Sequence, residues 1–164
     1  MTNDDTDFTI IVDTREQQPW IFKGYATANR KLDAGDYSIE GLENLFSIER
    51  KKSVSEIANN IVESRFKDAI ARLAEHKYSF LLLEFDIQDV LQYPIGSTLP
   101  RRLWNKVKVK PAFIMKHVLD WQLKHNINVV FCGNSDNAEK VAEYIFKKIY
   151  YLEVTKKNKE QKWN

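Results

Sequence analysis

The amino-acid sequence predicts an α/β protein, a layered domain built around a mixed β-sheet. Short apolar runs rich in β-branched residues, at residues 8–12, 80–85 and 128–132, are typical of buried strands. Segments with apolar residues at helical spacing follow capping patterns at 53–56 and 136–139, and these predict helices. Because predicted strands and helices alternate along most of the chain, we expect helices layered on a sheet.

Length and composition are those of an ordinary globular protein. The 164 residues suit one domain, with 43% hydrophobic and 29% charged residues. The single cysteine, Cys132, excludes an intramolecular disulfide and a cysteine-rich zinc site. A net charge of +2 does not by itself indicate a nucleic-acid partner.

The chain carries no signal for export or for a membrane. Residues 1–7 are polar and acidic, unlike a secretory signal, and no apolar run is long enough to span a bilayer. We therefore expect no membrane partner and an intracellular, reducing location. This would be the cytoplasm of a bacterial or phage-infected cell, or the nucleus if the source is eukaryotic.

A loop and a β-hairpin follow the first strand. Residues 14–31 have no clear period and read as a loop, with a strand near 20–22 as an option. Residues 34–51 predict a hairpin, and alternation in its second strand projects Glu49 and Lys51 from one face. Asp36 reaches the same place from the first strand of the hairpin.

Helices and strands complete the prediction. We expect a helix from Ser53 that continues or restarts up to residue 76, then a strand at 80–85 and an irregular connection at 88–110. A further helix begins at Pro111, and its expected buried residues are Phe113, Ile114, Val118 and Trp121. A strand at 128–132 and a helix after Asp136 follow. The last segment is basic and has no apolar period, which predicts a flexible tail. The expected organisation is an extension at 1–7, a domain at 8–152 and a tail at 153–164.

Acidic residues cluster at predicted strand ends, and this favours a metal site. The acids are Asp13, Glu16, Asp36 and Glu49. Mg²⁺ and Mn²⁺ bind such hard oxygen ligands together with water and a substrate phosphate. The metal would activate a water for attack on a phosphodiester, and Lys51 would offset the developing negative charge. Taken alone, however, Glu49 and Lys51 are more typical of a surface ion pair on an edge strand.

Three motifs in order resemble those of the XPF-type nuclease domain, a branch of the PD-(D/E)XK superfamily. They are VDTRE at 12–16, LDAGDY at 32–37 and IERK at 48–51. The resemblance covers residues 10–150. It implies a restriction-endonuclease-like fold, a three-layer α/β/α domain with a central mixed sheet. It also implies a Mg²⁺-dependent endonuclease, with Mn²⁺ as a substitute, that acts on branched or irregular DNA as a homodimer.

The resemblance carries roles to individual residues. Asp36 and Glu49 match the metal-binding acids and Lys51 the catalytic lysine. The remaining site residues are Asp13, Arg15 and Glu16 of the first motif, with Asp13 counted among the metal ligands, and Arg50, which alternation turns to the opposite face.

Two departures from the family pattern stand out. Where the family often has an acid after the third motif this chain has Ser55, and Glu56 one position further serves as a helix-capping residue. The helix-hairpin-helix module that often follows this domain is also absent from the sequence.

A cationic stretch at residues 101–110 is the candidate DNA-binding segment. Its members are Arg101, Arg102, Lys106, Lys108 and Lys110, with Trp104 among them. The lysines alternate with valines, so one edge would offer positive charge to backbone phosphates, and Trp104 could stack on an unpaired base. The alternative is a solvated loop with Trp104 in the core. Arg65 belongs to a smaller cationic patch.

The function expected from these features is cleavage of forks, flaps or junctions in DNA repair, recombination or replication. Two alternatives remain open: a PD-(D/E)XK exonuclease or duplex endonuclease, and a non-catalytic DNA-binding subunit. Aromatic residues off the buried stripe of the last helix, Tyr144, Tyr150 and Tyr151, favour a homodimer formed through residues 138–152.

Overall fold

A computed structural model describes residues 7–162 as six strands and six α-helices. The strands are β1 (Thr9–Val12), β2 (Ala26–Asn29), β3 (Tyr37–Ile39), β4 (Phe46–Lys51), β5 (Tyr78–Leu83) and β6 (Asn128–Phe131). The helices are α1 (Val54–Ile61), α2 (Ser64–Ala74), α3 (Ile87–Leu91), α4 (Pro111–Leu123), α5 (Ser135–Tyr150) and α6 (Lys156–Gln161). A 3₁₀ helix covers Arg101–Lys106, and one π-helical segment covers Tyr151–Thr155.

The strands form one mixed sheet in the order β2-β1-β3-β4-β5-β6. Strand β3 runs antiparallel to both of its neighbours, β1 and β4. The pairs β1–β2, β4–β5 and β5–β6 are parallel. The last two connections contain helices, as parallel neighbours require a crossover. The predicted hairpin at 34–51 is therefore confirmed, as is the mixed sheet.

Helices cover both faces of this sheet. Helix α5 packs its buried residues, Ala142 and Phe146 among them, against one face. Helices α1, α2 and α4 pack against the opposite face, where Ile57, Ile70 and Val118 are buried. This arrangement confirms the predicted three-layer α/β/α architecture.

Local predictions failed where tertiary contacts decide the backbone. Residues 20–22 form no strand; the strand of this region is β2. Phe22 has a positive φ of 51°, and Trp20 and Phe22 are buried in the core that α5 covers. The connection at 88–110 includes α3 and the 3₁₀ helix, and Phe113 of α4 is 41% exposed instead of buried.

The C-terminal segment, predicted as a flexible tail from residue 153, is helical as far as Gln161. Glu153 is buried and accepts hydrogen bonds from Lys157, from Lys77 Nζ at 2.7 Å and from Tyr78 Oη at 2.8 Å. These hydrogen bonds lower the pKa of Glu153 to about 2, and the bond from Lys157 has the largest effect. The helical segment is thus attached to the start of β5, a long-range contact that no local pattern predicts.

The predicted extension at 1–7 lies outside the described residues except for Asp7, and residues 163–164 of the predicted tail also lie outside them. Within residues 7–162 no helix combines the length and apolar character needed to cross a membrane.

Candidate active site

Three acidic residues lie side by side at one end of the inner strands β1, β3 and β4. The registers of β1 with β3 and of β3 with β4, each extended by one position, place Asp13 beside Asp36 and Asp36 beside Glu49. The Asp13 N–H donates to the Asp36 carbonyl oxygen at 2.8 Å, and the Asp36 N–H donates to the Ile48 carbonyl oxygen at 2.7 Å. Strand alternation turns all three side chains toward α1 and α2.

Gly35 permits this close approach of the strands. It has a φ of +75°, and a Cβ at this position would lie 2.0 Å from Ser47 Oγ and 2.9 Å from the Ile48 carbonyl oxygen. Only glycine satisfies both conditions without strain. The hairpin therefore depends on Gly35 to bring Asp36 against β4.

Asp36 and Glu49 are a like-charged pair in a partly buried place. Burial raises the pKa of Asp36 well above its usual value, and repulsion from Glu49 raises it further. Burial also raises the pKa of Glu49, although neighbouring Lys51 opposes the shift. A hydrogen bond from the Arg50 N–H to Asp36 Oδ2, 2.8 Å long, holds one carboxylate in place. Such a pair favours a bound cation, because a cation offsets the repulsion.

Lys51 lies beside the acidic pair. Its Nζ lies 3.3 Å from Glu49 Oε1, 3.7 Å from Glu56 Oε1 and 4.9 Å from the centre of the Phe66 ring. The side chain is 10% exposed, so its charge acts in a site with little water. Glu56, which the sequence indicated only as a helix-capping residue, therefore lies beside Lys51. It also accepts a hydrogen bond from the Lys52 N–H at 2.8 Å.

Asp13 is engaged by hydrogen bonds on both carboxylate oxygens. Oδ1 accepts from the Arg15 N–H and Nε, and Oδ2 accepts from Arg15 Nη2 and the Leu32 N–H. Burial alone would raise the pKa of Asp13, but the bonds from Arg15 and Leu32 outweigh it and lower the pKa. These contacts favour Asp13 as the residue that orients Arg15, whereas the sequence had placed it among the metal ligands.

Arg50 lies on the opposite face of β4, as alternation predicts. Its Nε donates to Glu84 Oε1 at 2.6 Å, its Nη1 donates to the Gln18 carbonyl oxygen at 2.6 Å, and its guanidinium lies 4.7 Å from the Trp20 ring centre. Glu16 Oε1 is 4.0 Å from Arg50 Nη1. The network fixes the end of β4 that carries Glu49 and Lys51. Glu84, which the sequence analysis did not single out, anchors this network by accepting from Arg50 Nε and Trp20 Nε1.

The acidic pair opens into a cavity of about 310 Å³ at the sheet edge. Residues of α1 and α2, including Asn60, Arg65 and Arg72, form the facing wall, and the 63% exposed side chain of Arg15 stands on the rim. Asn60 Oδ1 is buried without a hydrogen-bond partner. The wall therefore offers one unsatisfied polar atom and several cationic groups to a ligand.

The donor set fits a hydrated Mg²⁺ or Mn²⁺ ion. Among residues 7–162 no group of three or more His, Cys, Asp or Glu side chains is placed to hold a metal. Magnesium sites in phosphoryl-transfer proteins commonly use one or two carboxylates, with waters and substrate phosphate completing the octahedron. Asp36 and Glu49 would supply the two carboxylates, and Asn60, whose Oδ1 has no hydrogen-bond partner, lines the same cavity.

The predicted DNA-binding residues lie in two places. Arg65, at the start of α2, is 90% exposed and lines the acidic cavity. The residues of the 101–110 segment lie on the other side of α1, with Lys106 and Lys108 on a second groove. Trp104 is half-buried, and its Nε1 donates to the Leu99 carbonyl oxygen at 2.9 Å, so it stabilises its own segment.

Comparisons with known proteins agree with this geometry. The chain resembles the structure of XPF from Aeropyrum pernix with a TM-score of 0.61 and 19% identity, over 94% of this chain and 69% of that one. The structure of the Aeropyrum pernix XPF complex with DNA matches with a TM-score of 0.61 and 19% identity, over 87% of this chain and 64% of that one. At this identity the likeness shows the fold. No curated protein sequence matches the chain. The family model of the ERCC4 domain matches residues 12–147, most of the sequence, and the chain therefore belongs to the ERCC4 domain family.

Proposed function

We propose that this protein is a metal-dependent DNA endonuclease that hydrolyses phosphodiester bonds in branched or partly single-stranded DNA. The observation that carries the proposal is the cavity in which Asp36, Glu49 and Lys51 meet, with burial raising the pKa of both acids. Membership of the ERCC4 domain family, whose nucleases are generally metal-dependent, supports it. The biological setting would be DNA repair, recombination or replication.

Each residue of the cavity has a distinct part in this chemistry. Asp36 and Glu49 would hold Mg²⁺ or Mn²⁺, which would supply an activated water and a counter-charge for the phosphate. Lys51 holds the attacking water and stabilises the developing negative charge. Arg15, oriented by Asp13, meets the phosphate from the rim.

Arg50 acts on the other side of β4, and Glu16, which lines the acidic cavity, lies close to it. The Arg50–Glu84 ion pair, 2.6 Å long, holds the strand end in a fixed position. A fixed strand end keeps the carboxylates and the lysine in reacting geometry, and small displacements of such groups lower the rate steeply. Glu16 supports Arg50 from 4.0 Å.

The same geometry weighs against a non-catalytic DNA-binding subunit. A buried pair of carboxylates lowers the stability of the folded state, and binding to DNA phosphates gains nothing from it. The choice between an endonuclease on branched DNA and an exonuclease or duplex endonuclease depends on the substrate.

A cleavage panel tests the proposal. End-labelled fork, flap, Holliday-junction, duplex and single-stranded DNA are incubated with the protein and Mg²⁺ or Mn²⁺, and with EDTA as the control. We expect metal-dependent internal cuts near the branch point. Stepwise release of nucleotides from an end would favour the exonuclease, and the absence of any product would favour the binding subunit.

Backbone phosphates are the expected contacts of the cationic segment. The side chains of Lys106, Lys108 and Lys110 point outward, because Val107 and Val109 between them pack on the core. Replacing the three lysines with alanine should weaken binding to every DNA tested and flatten the salt slope by about 0.7 to 0.9 per lost contact. The measurement is DNA affinity by fluorescence anisotropy across a salt series.

A matched control keeps the change in net charge constant. Lys23, Lys124 and Lys140 are exposed lysines of other surfaces, and their triple alanine variant should keep the salt slope of the original protein. Equal slopes for both triple variants would place the DNA path away from residues 106–110.

We also propose that the protein forms a homodimer through residues 138–152, which cover most of α5 and the first residues after it. Tyr144 is 62% exposed and Tyr151 is 44% exposed, off the face that α5 buries in the core. Tyr150, which the sequence also placed off that face, instead packs against the core beside Phe8. Exposed aromatic side chains of this kind favour a two-fold interface. Light scattering should give a dimer mass that Tyr144→Glu reduces to that of a monomer. A monomer mass for the original protein at high micromolar concentration, with cleavage retained, would refute the dimer.

A further inference from the structure

We propose that a groove between α1 and residues 99–109 binds an unpaired DNA strand next to the cleavage site. The inference rests on the proposed function and adds to it a separate subsite for single-stranded DNA. It follows from three properties of the groove: its aliphatic lining, its cationic rim and its position relative to the acidic cavity.

The groove is a solvent-open, mostly aliphatic surface. Its volume is about 590 Å³, and its lining includes Val62, which follows α1 directly, and Leu99, Leu103, Val107 and Val109 of the facing segment. Val62 is 68% exposed. A contiguous apolar surface left open to water marks a binding site, since covering it is favourable.

The rim of the groove identifies a polyanion as its occupant. Residues 99–110 carry five cationic side chains and no acidic one. Lys106 and Lys108 line the groove itself. An unpaired strand presents apolar base faces on one side and phosphates on the other, and so matches a groove with an apolar floor and a positive edge. A duplex hides its base faces and would contact the rim cations alone.

The position of the groove connects it to the acidic cavity. Asn59 lines the groove and Asn60 lines the cavity, and these neighbours lie about 100° apart around α1. A strand whose scissile phosphate lies at the cavity therefore reaches the groove by crossing one helix. The facing segment is held ready, because Trp104 Nε1 donates to the Leu99 carbonyl oxygen and the Val107 N–H donates to the Trp104 carbonyl oxygen at 3.2 Å.

One pair of variants separates this subsite from general DNA binding. Val62→Glu introduces a charge at the floor of the groove, and Leu123→Glu introduces the same charge at a site on α4 that is 83% exposed and outside the groove. The probes are a fluorescent oligo-dT strand and a hairpin duplex of equal length, titrated without divalent metal. We expect Val62→Glu to weaken oligo-dT binding at least tenfold and hairpin binding less than twofold. Leu123→Glu should change neither by more than twofold.

The outcomes that overturn the inference are distinct. Unchanged oligo-dT affinity in Val62→Glu would assign the groove to another partner, such as an acidic peptide. Equal losses of affinity for oligo-dT and for the hairpin duplex would mean that the groove contacts only phosphates and does not recognise an unpaired strand. Since both substituted positions are exposed, unchanged thermal unfolding should accompany either variant, and Val62→Ser repeats the test without added charge. A protein that binds oligo-dT in the groove but cuts no DNA with Mg²⁺ would retain the inference and refute the nuclease.

Discussion

The Asp36→Asn variant is expected to lose Mg²⁺-dependent cleavage by a factor of about 10³ or more. Removal of a charged metal ligand takes away about 4 kcal/mol of transition-state stabilisation, and each 1.36 kcal/mol corresponds to a tenfold change in rate. Asparagine keeps the oxygen that accepts the Arg50 N–H, so the hairpin is preserved. Glu49→Gln should behave in the same way, and rates of junction cleavage measure both.

The same variant should be as stable as the original protein, or more stable, when no metal is present. Since folding raises the pKa of Asp36 and Glu49, the folded protein favours their protonated forms. The stability that these groups contribute is present below their ordinary pKa and is lost as pH rises through the raised folded values. Asp36→Asn removes the part of this loss that Asp36 causes. Added Mg²⁺ should restore stability in the original protein and not in the variant.

Thermal unfolding across pH, with and without Mg²⁺, measures this linkage. Asp68→Asn, a change of an exposed aspartate on α2, is the control and should keep both the cleavage and the response to Mg²⁺. Full cleavage by purified Asp36→Asn protein would remove Asp36 from the metal site. A marked loss of metal-free stability at neutral pH would show instead that the carboxylate has a structural role.

Gly35→Ala is expected to have the largest effect on folding, a loss of about 2–6 kcal/mol in the free energy of unfolding. Two causes add: strain from the positive φ, and the contact of the new Cβ with Ser47 Oγ and with the backbone oxygen of Ile48. The backbone atom cannot move without separating β3 from β4. Urea denaturation of the metal-free protein measures the loss.

Gly41→Ala is the matched control for this prediction. Gly41 also has a positive φ, +85°, but a Cβ there would meet no atom within 4 Å. It should therefore show the backbone strain alone, about 1–3 kcal/mol. Similar losses for the two variants would mean that β3 and β4 can separate enough to admit a methyl group, and that the hairpin tolerates more than its geometry indicates.

Local patterns were sufficient for most of the elements. Alternation along residues 45–51 predicted which side chains face the core, and the structure brings Asp36, Glu49 and Lys51 into one cavity accordingly. The capping pattern at Ser53 is also present, since its side chain accepts the Glu56 N–H at 3.1 Å. Such features involve neighbours in sequence or one hairpin, and their periodicity is therefore visible in the sequence.

Contacts between distant residues were not predictable in this way. The partners Arg50 and Glu84 are separated by 34 positions, and Asp13 and Leu32 by 19. No period or motif indicates that Asp13 has both oxygens occupied, or that Asn60 has a buried oxygen without a partner. The relation of the cationic segment to the acidic cavity likewise depends on the packing of α1.

The sequence by itself determined the order of most strands and helices, the layered α/β class and the hairpin that carries the acids, because hydrophobic periodicity and capping are local. Only the tertiary structure decided how those acids are coupled, which side chains brace them and where the groove lies. Burial, mutual repulsion and hydrogen bonding depend on distances in space, and the chain sets these distances only when the sheet and its two helical layers have packed.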